Sequence, residues 1–151
     1  METVCLLAFL AATATVDLRT RRIPNLLTIS AALVGLLLNL SRSGSAGAVA
    51  CGAGLLVGFA AFLPSYLAGG LGAGDVKAMA AVGAFLGPKA ALLAAISTFG
   101  VGGLGALLVL AAARWRAART QAAWRLRDAC RQRFPYGLAI ACGTALALPW
   151  S

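Results

Sequence analysis

The residues of this chain best suited to chemistry are two carboxylates. Only four acidic residues occur, Glu2, Asp17, Asp75 and Asp128. Asp17 closes one apolar run and Asp75 opens another, in the stretch LGAGDVKAMA at 71–80. A carboxylate at membrane depth costs roughly 3 kcal/mol on insertion scales, and it usually faces a bundle interior or a wet cavity. Two carboxylates close together in a low dielectric cannot both ionise easily, so one keeps its proton. The ionised partner can then take a proton from water while the protonated partner polarises a carbonyl, the division of labour of aspartic-type hydrolysis. A plainer role is open to each acid. Asp75 follows Gly74 and could cap a helix, and Asp17 could cap or pair with Arg19 or Arg21. Spacing along the chain does not decide whether the two meet.

The elements that must carry them belong to a membrane protein. The 151 residues are 61% hydrophobic, against about 45–50% in soluble domains. No soluble core of this size hides so many apolar side chains, and the length allows one domain, residues 1–151. Six apolar segments can be drawn, roughly 3–16, 25–40, 46–68, 76–87, 90–113 and 135–150. Alternating strand patterns are not evident, and backbone groups in lipid must pair internally. The expected fold is therefore all-α, a polytopic membrane bundle of about six transmembrane helices. METVCLLAFLAATATVD lacks a basic start and reads as a retained first helix rather than a cleaved signal.

Between the segments lie LRTRRIP, SRSGSAG, GGLGAG, GPK and a basic stretch from Arg114 to Phe134. The formal charge is +9. Without aromatic–basic interleaving it does not point to nucleic acid. With the loop after the first segment in the cytoplasm, every Lys and Arg except Arg42 and Lys89 falls inside. That places both termini outside, and Asp17 and Asp75 on the cytoplasmic side. From Val76 to Gly87 a helix rises roughly 18 Å, well short of a hydrocarbon core of about 30 Å. Asp75 is thus expected below the membrane surface, with Lys77 able to snorkel to headgroups.

Gly72 and Gly74 precede Asp75 and would permit an unusual turn and a close approach of another chain. Gly54 with Gly58, and Gly83 with Gly87, have the GxxxG spacing of packed membrane helices. The cysteines, Cys5, Cys51, Cys130 and Cys142, form no C-x-x-C pair, and histidine is absent. No zinc site is expected, and no metal or organic cofactor is needed for the chemistry above. The arginines from Arg114 to Arg133 suit a helix on an anionic lipid surface with Trp115 and Trp124 at the interface; contact with a secretion-machine partner is the other reading. Asp128 there is expected to be an ordinary helix-surface partner of Arg125 or Arg131.

Three blocks carry a family resemblance: DLRTRRIPN (17–25), GAGDVKAMAAVGAFLG (72–87) and PYGLAIACG (135–143). With them the chain resembles the type IV prepilin peptidases, aspartic intramembrane proteases of the GxGD kind. The resemblance implies that Asp17 and Asp75 are catalytic. It also implies supporting roles for Gly72, Gly74 and Lys77, and for Arg19, Pro24 and Asn25 in the first cytoplasmic turn. The implied substrate is a prepilin, a short basic leader followed by an apolar helix, cut at the cytoplasmic face of a bacterial inner membrane. Longer members carry an extra segment with paired C-x-x-C motifs, absent here, so the likeness is to the short form serving tight-adherence (Flp-type) pili. Leu138 stands where many members have proline. Two other classes fit lone membrane acids: a small proton- or ion-coupled transporter, and a non-catalytic scaffold of a pilus assembly.

Overall fold

The computed structural model describes residues 2–20, 23–120 and 136–148, and among them it is all-helical, as expected. The helices are α1 (Glu2–Thr20), α2 (Asn25–Leu67), α3 (Ala73–Thr120) and α4 (Tyr136–Ala147). On α1 the residues Leu6, Phe9, Leu10, Thr13 and Asp17 are buried. Their spacing is that of one helix face turned inward. Thr13 donates its hydroxyl to the Phe9 carbonyl at 2.8 Å, so this face carries the polar group without an open hydrogen bond.

Pro24 starts α2. Its ring suits an N-cap at φ −63°, and its carbonyl accepts the amides of Leu27 and Thr28. Two single residues then interrupt the long helices. Gly44 (φ 56°) leaves helical geometry inside α2, and Gly87 (φ 75°) does so inside α3. Positive φ is open to glycine without steric cost, so each break needs only one residue. SRSGSAG and GPK, read as connections, are otherwise helical.

Both breaks turn the chain back on itself. A methyl group on Gly47 would collide with the Asn39 carbonyl; residues that far apart on a straight helix lie roughly 12 Å away from each other. In the same way Gly58 packs on Met79, while the Phe62 ring, one turn further, packs tilted against Phe99 with ring centroids 4.7 Å apart. Met79 and Phe99 would be roughly 30 Å apart on an unbroken helix.

The two hairpins interlock through glycine. A methyl on Gly54 would strike the Gly83 carbonyl, and one on Gly83 would strike the Gly54 carbonyl. One glycine of each GxxxG pair thus meets the other, while Gly58 packs on the Met79 backbone, letting backbones touch where no hydrophobic force drives association. A polar side chain closes the joint. Where α3 leaves helical geometry at Gly87, the carbonyls of the turn before it lose their partners four residues on. Asn39 reaches across from α2 and donates to the Ala84 and Phe85 carbonyls at 3.1 and 3.3 Å.

Two segments, Asn25–Leu67 and Ala73–Val109, are long and apolar enough to cross a membrane. The expected count of about six transmembrane helices is therefore not reproduced as six elements; one reason is that the glycine breaks are too short to end a helix. The exterior is that of a chain in lipid: Leu26, Val49, Leu56 and Leu107 are each more than 60% exposed. The interior centres on Phe62, Met79, Val82 and Ile140. The basic stretch beyond Thr120, with Arg125, Asp128 and the third block's Pro135, lies outside the described residues, as do Arg21 and Arg22.

Candidate active site

Asp75 sits at the third position of α3, so it is not the N-cap. That place falls to Gly72, whose carbonyl accepts the Asp75 amide at 3.1 Å. The Asp75 carboxylate reaches back, and its Oδ2 accepts the Gly72 amide at 3.0 Å. This is the acidic half of a capping box, which satisfies a backbone donor the helix start would leave open. The chain arrives at this position through a glycine turn. Gly69 (φ 77°) follows the C-terminus of α2, and the amides of Gly69 and Gly70 return to Tyr66 and Ser65. That is the Schellman ending of a helix. The left-handed residue of GGLGAG is thus Gly69, and not Gly72 or Gly74 as the motif suggests.

Gly74 serves the close approach instead. A methyl there would lie 3.1 Å from the Ile23 Cβ. Ile23 belongs to the connection that leaves α1 six residues after Asp17, so the connection after the first acid packs against the residue preceding the second. A second tie joins the same two blocks: Lys77 Nζ donates to the Asn25 Oδ1 at 2.9 Å. Both side chains are exposed, at the starts of α3 and α2. Pro24 and Asn25 therefore form the first turn of α2, while Arg19 stands exposed in the last turn of α1, where a cation suits the helix dipole.

Asp17 is buried, 7% exposed against 9% for Asp75. Its Oδ2 accepts the Gly137 amide at 2.8 Å. That amide belongs to the first turn of α4, where backbone donors have no partner within the helix. Asp17 thus caps a helix distant in sequence; Arg21, one of the two arginines it could pair with, lies outside the described residues. The contact leaves no room for a side chain: a methyl on Gly137 would lie 2.7 Å from the Asp17 Cβ. Gly137 is a site residue that the motif PYG contained and that sequence reasoning passed over. Its signal was a glycine at the second position of an apolar helix.

Each acid has its Oδ2 on a backbone amide, in a setting shielded from solvent.

A family model described as the type IV leader peptidase family matches residues 4–110, a stretch that includes both acids. The chain belongs to this family. It is thus a leader-peptidase-like protease, a hydrolase, and its apolar helices make it a membrane protein. The block at 135–143, with Gly137, lies beyond the matched residues. No curated protein and no solved structure matches the chain.

Proposed function

We propose that this chain is an intramembrane aspartic endopeptidase that removes the N-terminal leader of type IV, Flp-type, prepilins, with Asp17 and Asp75 as its catalytic pair. One observation carries the reading. Two of the chain's four acids are buried in a membrane-type bundle, each with Oδ2 on a backbone amide, in a member of a leader peptidase family.

In the proposed reaction the ionised acid of the pair takes a proton from water. The water oxygen attacks the peptide carbonyl carbon, and the protonated acid gives a hydrogen bond and then its proton to the carbonyl oxygen. The tetrahedral intermediate collapses as its nitrogen is protonated, the C–N bond breaks, and the pair again shares one proton. The amides of Gly72 and Gly137 stabilise negative charge on the carboxylates throughout. Gly74, Lys77, Pro24 and Asn25 hold the two motif blocks together, and Arg19 flanks the first.

The chain reversals at Gly44 and Gly87 support a six-crossing topology in which α2 and α3 each contribute a hairpin. Both acids then face the cytoplasm in a bacterial inner membrane. The arm carrying Asp75, residues 73–86, is roughly 21 Å long, shorter than the hydrocarbon core. A leader would meet its apolar helix at that depth. Because the protein is itself basic, a basic leader is recognised through the apolar helix rather than by charge.

The test is cleavage of a purified Flp-type prepilin by the full chain in liposomes, compared with Asp17→Asn and Asp75→Asn. Cutting by wild type and by neither variant is the expected result. Cutting that survives either change removes that acid from the mechanism. Proton or ion flux sensitive to Asp75→Asn, with no cut on any prepilin, would establish the transporter reading instead.

A further inference from the structure

Between the starts of α2 and α3 lies a groove of about 320 Å³. Its polar end is the hydrogen-bonded pair Asn25 and Lys77. Beyond that pair it is lined by Ile29 and Phe59, over a floor of the buried alanines Ala80 and Ala81. In a membrane such a trough is filled by hydrocarbon rather than water. Its mouth is cationic. The Lys77 ammonium has three donors, of which Asn25 takes one. The positive end of α2 opens beside it, where the N-cap Pro24 makes no side-chain hydrogen bond to the helix.

A cationic mouth on an apolar trough fits an amphiphile with an anionic head and a hydrocarbon tail. We propose that this groove binds an anionic phospholipid, its acyl chain along Ala80 and Ala81 and its phosphate on Lys77. A peptide with a basic leader is the poorer match, because its charge would meet that of Lys77. The site depends on the chain's place in a membrane and not on the peptidase chemistry, so it stands or falls separately. It would put a lipid beside the arm that carries Asp75.

The test uses the full chain in phosphatidylcholine nanodiscs containing an equal small fraction of one of two probes. These are phosphatidylglycerol or phosphatidylcholine, each with a photoactivatable group in the acyl chain. Crosslinks are mapped by mass spectrometry. The phosphatidylglycerol probe is expected to label Ile29, Phe59 and their neighbours about fivefold more than the phosphatidylcholine probe, the factor one cation contributes at an anionic lipid surface. The preference should vanish in Lys77→Gln and persist in Lys77→Arg and in Lys89→Gln, which changes an exposed cation outside the groove. Equal labelling by the two probes in wild type overturns the proposal, as does a preference that survives Lys77→Gln. A prepilin-type peptide that crosslinks in the groove when neither probe shows a headgroup preference would assign it to peptide instead. The wild-type comparison decides even if a variant fails to fold.

Discussion

Gly137 contributes no functional group, yet the position of Asp17 depends on it. Its amide holds the carboxylate at 2.8 Å, and its missing side chain is what lets α4 approach α1. A methyl group there must push Asp17 aside, since 2.7 Å is closer than Cβ atoms come in practice. Displacement by about 1 Å at a catalytic group can cost about a hundredfold in rate. Gly137→Ala is therefore expected to cut prepilin cleavage about a hundredfold, while Leu138→Ala, at the exposed neighbour, leaves it within about twofold. Single-turnover kinetics on the two variants would check this. Equal activity for Gly137→Ala and wild type would mean that the Asp17 contact with α4 is not required.

At the scale of the helix, Asn39 closes the break at Gly87 from the other hairpin. The chain leaves helical geometry there, and the asparagine of α2 supplies donors to the Ala84 and Phe85 carbonyls of the turn before it. A buried carbonyl without a partner costs about 1–3 kcal/mol. Asn39→Leu is thus expected to lower stability by about that amount. Thermal unfolding of Asn39→Leu and wild type in detergent measures this loss, and equal stability would show that the bonds across the two hairpins contribute nothing. The same scale explains the apparent length of the helices: Gly44 and Gly87 reverse the chain in one residue each, so neither reversal reads as a loop.

For the molecule as a whole, the charge asymmetry and the two reversals make the same statement about sidedness. Among the described residues, Arg19 and Lys77 stand near the helix ends that carry the acids, and Arg42 and Lys89 lie two residues from the breaks at Gly44 and Gly87. In a cysteine-free background, Ser43→Cys and Lys89→Cys are expected to react with a membrane-impermeant maleimide in intact spheroplasts. Gly70→Cys, in the turn before Asp75, should react only after permeabilisation. Labelling of Ser43→Cys and Gly70→Cys from the same side would refute the crossing of the second arm of α2. The exposed apolar exterior is consistent with this arrangement, because only hydrocarbon accepts so many uncovered leucines.

The membrane class, the helical fold and the singling out of Asp17 and Asp75 follow from sequence alone. They rest on composition, on the rarity of charge and on the rule that lipid leaves no backbone group unpaired. Such properties are local or summed over the chain, so they need no three-dimensional information. The blocks at 17–25 and 72–87 likewise pointed to the family that the matched residues 4–110 establish. Contacts between distant segments were decided only in the tertiary structure. Asp17 meets Gly137, Asn39 meets Ala84, Lys77 meets Asn25, and Gly54 meets Gly83. None of these pairs has a spacing that a single helix or turn would register. The last three exist because two hairpins, closed by glycine at Gly44 and Gly87, pack against each other, and the first because α4 packs on α1 closely enough to bring a remote donor and acceptor within bonding distance.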